Sequence, residues 1–391
     1  MTDAPYLTYC LNAHPAETLA EVQQAIRQFA LPVRRRIHSD GAFPLGLRLS
    51  AQAAGDFQNG KSREEFLAFL QQNNLHPPTA NAFPIGAFHD TRVKENVYLP
   101  DWSDRARMDY TLAVAQALAA CESPAEYRSI STCPLFFKPV VASLDEQTYR
   151  MECTKNLIIV AVALAKIEEA TGQHIVLAIE PEPGCFPETT DEVTRYFDAI
   201  RDEKFLAYLA EGLGCDGPKL GWILGRYLGV CFDAAHQAVL GEDLIESFDT
   251  LRDNDIPVAK LQLSSAIVCP PSPAARDCLC ENFADDVYLH QTMTSSGEFY
   301  LDLPEAIKNA PPEETLRVHY HVPIHLDEIG PLQTTNAELC RLLDYLRTTD
   351  ALPDHLEIET YTWPAIAETQ SLDIIDGIAR EFEWANQILH P

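Results

Sequence analysis

The sequence has no leader-like start, no C-x-x-C pair and no apolar run long enough to span a bilayer. The start, MTDAPYLTYC, lacks a charged segment followed by an apolar core, so no secretory signal is expected. The longest apolar run, 157–165, stops at Lys166, well short of the roughly 20 residues a spanning helix needs. The 11 cysteines are odd in number and scattered, which reads as a reducing compartment rather than a disulfide framework. A soluble, cytoplasmic protein is the expectation. Cations are also scarce, 29 Lys and Arg against 58 Asp and Glu, for a formal net charge of −29. Phosphate backbones are held by Lys and Arg, so nucleic acid is not expected as the main partner. The one basic run, Arg34-Arg35-Arg36, reads as a solvated helix end.

What the chain does have is a globular composition, 46% hydrophobic and 22% charged over 391 residues. Short apolar runs alternate with helical spacings. Strands are expected at 6–12, 45–50, 78–83, 127–132, 175–180, 225–233, 258–263 and 355–359. Helices are expected between them, with capping boxes at Ser62-x-x-Glu65, Thr189-x-x-Glu192 and Thr335-x-x-Glu338. The helix 145–170 should stop at Gly172, and 374–389 should be the last helix. Strands that alternate with helices predict a parallel sheet. About eight such units predict an α/β fold, a closed (β/α)8 TIM barrel, as one domain over 1–391. An open doubly wound sheet is the alternative. The extended stretch 316–321 is one too many and is placed in an insertion after the seventh strand, at the barrel mouth. The long loop 84–102 reads as a lid or wall, and 134–139 as a plain loop.

Chemistry should gather where barrel strands end. In GVCFDAAH (229–236) an apolar strand stops at Asp233, with His236 three residues on. A hard oxygen and an imidazole so placed suit a divalent metal or a sugar hydroxyl. The simpler role for Asp233 is a helix N-cap. Glu180 and Glu182 follow the apolar run 176–179, where an acid is costly unless paired or metal-bound. Glu359 ends the last strand, while Glu357 reads as a structural acid lower in the barrel. His319 and His321, in VHYHVPIH, share one face of an extended segment, a recurrent metal-ligand geometry. His14, Asn81, His89 and Lys94 follow the first and third strands and are second-rank substrate contacts. Trp102, Phe83 and Phe88 would wall a sugar ring. The literal G-x-G-x-x-G at Gly212, Gly214 and Gly217 follows a helix rather than a strand, so a surface turn is expected there.

Glu180, Asp233-x-x-His236 and Glu359 together resemble the xylose isomerase-like TIM-barrel superfamily of sugar isomerases, epimerases and endonuclease IV-like enzymes. The strings FPIGAFHDTRVKENVYLPDW, ISTCPLFFK, IEPEPGC, GVCFDAAHQAV, HYHVPIH and ETYTW are similar to its branch called EboE. That branch is described as a metabolite-traffic protein encoded beside a prenyltransferase-like partner. The resemblance implies a divalent metal (zinc, manganese or magnesium) held by Glu180, Asp233 and Glu359. Gln262 stands where the sugar epimerases place a ligating histidine, and His319 and His321 match a histidine-containing pair of the endonuclease group.

The expected function is a metal-dependent isomerase or epimerase of a small metabolite. Glu180 and Glu359 would move protons as the catalytic pair, and His236 would hold a substrate oxygen. The alternatives are a non-catalytic metabolite carrier and an endonuclease IV-like phosphoesterase. Partner proteins of the same gene cluster, and an oligomer, are left open.

Overall fold

The computed structural model describes residues 5–38, 41–89, 92–363, 366 and 373–391. Among the described residues, eight parallel strands appear in the expected order. They are β1 (Tyr6–Tyr9), β2 (Phe43–Arg48), β3 (Leu75–Asn81), β4 (Arg128–Thr132), β5 (Ile175–Ile179), β6 (Leu228–Asp233), β7 (Val258–Leu263) and β8 (His355–Ile358). β2 to β8 each pair with their sequence neighbours. β8 pairs with β1, and a Cys10–Gly46 bridge joins β1 to β2, so the sheet closes into a barrel. Helices such as Arg105–Ala120, Glu146–Thr171 and Ile374–Leu389 lie between the strands. Gly172 ends the longest of these at a φ of 72°, a left-handed C-cap.

Three local expectations are corrected. The helix Gly60–Gln72 is capped by Asn59, whose side chain accepts from the Lys61 and Ser62 amides, so Ser62 lies inside the helix. Thr335 flanks Asn336–Thr348 without a side-chain cap bond, because its hydroxyl accepts from the Ala266 amide instead. The segment 134–139 is not all loop: Phe136–Phe137 pairs with Cys185–Phe186. Thr189 does cap Thr190–Arg201. In the G-x-G-x-x-G string Gly212 lies in the helix Glu203–Leu213, Gly214 caps it in the left-handed region and Gly217 opens the helix Gly217–Tyr227, so the string holds a helix–helix turn.

After β7 the chain leaves the barrel and builds an antiparallel sheet over its mouth. In this sheet Leu316–Val322 lies between Thr292–Thr294 and Ser265–Cys269. The extra extended stretch therefore sits in an insertion, as expected. Strand alternation puts His319 and His321 on one face and Tyr320 on the other, against Phe283 at 5.1 Å between ring centroids.

The barrel interior is polar. Lys260 and Glu357 are fully buried and ion-paired there. Lys260 also donates to Ser131 at 3.1 Å, and Ser129 hydrogen-bonds Thr79 and His355 at 2.8 Å each. Glu357 is thus the structural acid expected. Gly46 is required beside it, since a Cβ would collide with the Glu357 carboxylate and the Tyr9 carbonyl. Gly46→Ala is expected to destabilise the fold by about 3 kcal/mol or more, read as a lowered midpoint of chemical denaturation.

Burial, then the Lys260 charge, hold His355 down at about 3 against the ordinary 6.5. Its folded value lies below the unfolded one, so its contribution to stability is complete above about pH 6.5 and is lost as pH falls toward 3. His355→Gln is expected to remove about 1.4 kcal/mol per pH unit from the acid-side slope of stability. Denaturation at pH 7, 6 and 5 measures that slope, and an unchanged slope refutes the assignment.

Candidate metal centre

Three barrel strands and one insertion strand bring the site together. Glu180 follows β5, Asp233 ends β6, His236 lies in the helix Ala234–Val239, and Glu359 follows β8. His319 and His321 descend from Leu316–Val322. All six are buried. They form three overlapping sets: His236, His319 and His321; Glu180, Asp233 and His236; and Asp233, His321 and Glu359. Within each set the ligand-type atoms lie within 4.8 Å of one another.

The imidazoles are fixed in one sense. His236 Nδ1 lies 2.8 Å from the Pro181 carbonyl, and His321 Nδ1 lies 2.8 Å from the Glu359 carbonyl. His319 Nδ1 lies 2.7 Å from Gln291 Oε1. The Gln291 amide is itself oriented, because its Nε2 donates to the Pro183 carbonyl at 2.9 Å and to Tyr98 at 2.8 Å. Each Nδ1 therefore faces an acceptor, and each Nε2 is turned toward the other two rings. Those Nε2 atoms lie only 3.1 Å (His236 to His319) and 3.3 Å (His319 to His321) apart. Burial, then the neighbouring His236 and His321, hold His319 well below its usual range, and burial brings His321 to about 4. Three imidazole nitrogens converging this closely fit a cation.

The carboxylates agree with that fit. Asp233 Oδ1 accepts from the His236 amide at 2.9 Å and the Ser264 hydroxyl at 2.8 Å. It is therefore the helix N-cap, yet Oδ2 stays buried without a hydrogen-bond partner, as does Glu180 Oε2. Glu359 Oε1 accepts from Asn12 at 2.8 Å and Asn81 at 3.1 Å. Burial would raise Asp233, but His236, His321 and its two donors outweigh it and keep the carboxyl below the usual range. Burial, then neighbouring acids, push Glu180 and Glu359 well above it. The residues present thus fit a divalent ion with mixed nitrogen and oxygen ligands.

Several assignments shift. His236, expected on a substrate oxygen, belongs to two of the sets that could hold an ion. Gln262, expected as a ligand, lies deeper: Oε1 accepts from Cys231 at 3.1 Å and it does not line the cavity above the site. Trp102 is wholly buried and donates to the Cys133 carbonyl at 3.3 Å, so it packs in the core rather than walling a ligand. His14 is stacked on Phe29 at 3.9 Å, and His89 bonds the Asn12 carbonyl and Tyr288; neither lines the cavity. Asn81, Lys94, Phe83 and Phe88 do line it. His325 joins no ligand set among the described residues. The reading of the sequence passed over Gln291 and Asn12. Gln291 lies in an irregular segment, where no periodicity marks which side chains turn inward.

No family model matches the chain, and no curated protein matches it. Among solved structures it is similar to a D-tagatose 3-epimerase-like protein, at 12% identity, 98% coverage of each chain and a TM-score of 0.47. It is also similar to an IolI protein described with a binding zinc atom, at 11% identity, 98% coverage of each chain and a TM-score of 0.47. A third is SacUVDE, at 10% identity over 95% of this chain and 98% of that one, with a TM-score of 0.37. No residue role passes from these structures to this chain.

Gln291→Leu leaves His319 Nδ1 without its acceptor. It is expected to weaken zinc binding by about 10- to 100-fold, measured by competition with a chromogenic chelator.

Proposed function

We propose that this protein is a metal-dependent isomerase or epimerase acting on a small hydroxylated carbonyl metabolite. The observation that carries the reading is the pairing of a convergent imidazole cluster with two buried acids held in different ways. A divalent ion bound there supplies Lewis-acid polarisation of substrate oxygens. Three nitrogen ligands favour zinc or manganese over magnesium.

The chain's own residues would do the rest. Glu180 has an unpartnered Oε2 and a raised pKa, the properties of a group that exchanges a proton with carbon. Glu359, fixed by Asn12 and Asn81, lies three strands away around the rim and would return the proton from the other side. The Asp233 carboxyl stays ionised as a ligand. The roof of Phe88, Tyr288 and Tyr361 would exclude water from the carbon acid.

A carrier role within the metabolite-traffic branch is the second reading, favoured by the same apolar roof. It predicts binding without proton exchange. A phosphoesterase reading is disfavoured by the net charge and by a cavity whose one lining cation among the described residues is already ion-paired.

Zinc- or manganese-loaded protein, incubated with a panel of ketoses and hydroxyketones in deuterated water, is expected to wash deuterium into the carbon beside the carbonyl. Glu180→Gln is expected to lower that rate by about 100-fold or more, compared at equal measured metal content. Metal retention with no exchange on any substrate would favour the carrier, and a protein that retains no divalent ion refutes the metal-dependent reading.

A further inference from the structure

The cavity above the centre divides sharply by chemistry. Its floor is Glu180, Glu359, His236, His319 and His321. Its roof is three rings, Phe88, Tyr288 and Tyr361, meeting at 5.1, 5.2 and 5.3 Å between centroids, with Val93 and Val97 packed on them.

Two observations restrict what can enter. First, the lining residues include one cation, Lys94, and its ammonium is committed: it donates to Asp302 at 2.8 Å and to the Asp285 carbonyl at 3.0 Å. Its amide also donates to the Val287 carbonyl at 2.9 Å, which pins the loop against the insertion. Second, the buried lining side-chain atoms without a hydrogen-bond partner are Asn12 Oδ1, Glu180 Oε2 and Glu182 Oε2, all acceptors. Glu182 is held in place by Tyr98, which donates to its other oxygen at 2.6 Å. A ligand must therefore bring hydrogen-bond donors to the floor and apolar surface to the roof. A phosphate or carboxylate would meet acids and acceptors with no uncommitted cation among the described lining residues.

Building on the metal-dependent reading above, we infer that the substrate is an uncharged hydroxy-carbonyl compound carrying an apolar ring or chain, and that phosphorylated sugars are excluded. Its hydroxyl and carbonyl groups face the floor, and its apolar body lies against Phe88, Tyr288 and Tyr361.

Three probes test this by calorimetric titration of the full chain, with zinc added and with chelator: phenylacetylcarbinol, D-fructose and D-fructose 6-phosphate. Phenylacetylcarbinol is expected to bind at least about 10-fold more tightly than fructose, and fructose 6-phosphate more weakly than fructose. Phe88→Leu and Tyr288→Leu are each expected to weaken phenylacetylcarbinol severalfold while changing fructose little. Fructose 6-phosphate binding as well as fructose, or an absence of phenylacetylcarbinol binding under both conditions, overturns the inference. Zinc content of the same samples judges the metal-dependent reading separately, because the roof and the Lys94 ion pair do not depend on the ion.

Discussion

Three imidazole nitrogens, set 3.1 and 3.3 Å apart in sequence around a buried point, call for a positive charge among them. The carboxylates of Glu180, Asp233 and Glu359 add the same demand in the same dry space. Most of the structure around the barrel mouth can be understood as enforcing that arrangement. The Pro181 and Glu359 carbonyls and the Gln291 side chain turn each ring so that its Nε2 faces inward. Asn12, Asn81 and Ser264 hold the acids from behind.

The barrel alone supplies only part of this. Its strand ends give Glu180, Asp233 and Glu359, and the helix after β6 gives His236. The other two imidazoles come from the antiparallel insertion, which also carries Gln291 and the Tyr288 ring of the roof. The insertion therefore closes the cavity and completes its floor at once. Below the site, the Lys260–Glu357 pair places a buried cation under the acids, so the barrel's centre is balanced rather than simply apolar. Gly46 is the opening in the β1–β2 seam that admits Glu357.

The cavity's two halves fit one kind of chemistry. An acceptor-rich floor suits proton transfer and oxygen coordination, and an aromatic roof suits a ligand with an apolar body kept from water. No helix among the described residues is long and apolar enough to cross a membrane.

The sequence by itself determined the alternation of strands and helices, the eight-strand count, the insertion at 316–321 and the acids at the strand ends. These are local properties: apolar runs, turn residues and an abrupt charge after a buried strand show in any short window. It also placed His319 and His321 on one face, because strand periodicity is two. Only the tertiary structure decided that His236 lies among the residues that could hold an ion, that Gln262 and Trp102 fall away from the cavity, and that Gln291 belongs to the site. Those outcomes depend on which side chains meet across 31 to 193 residues of chain. Such meetings are set by barrel closure and by the packing of the insertion on the mouth, neither of which leaves a periodic mark in the sequence.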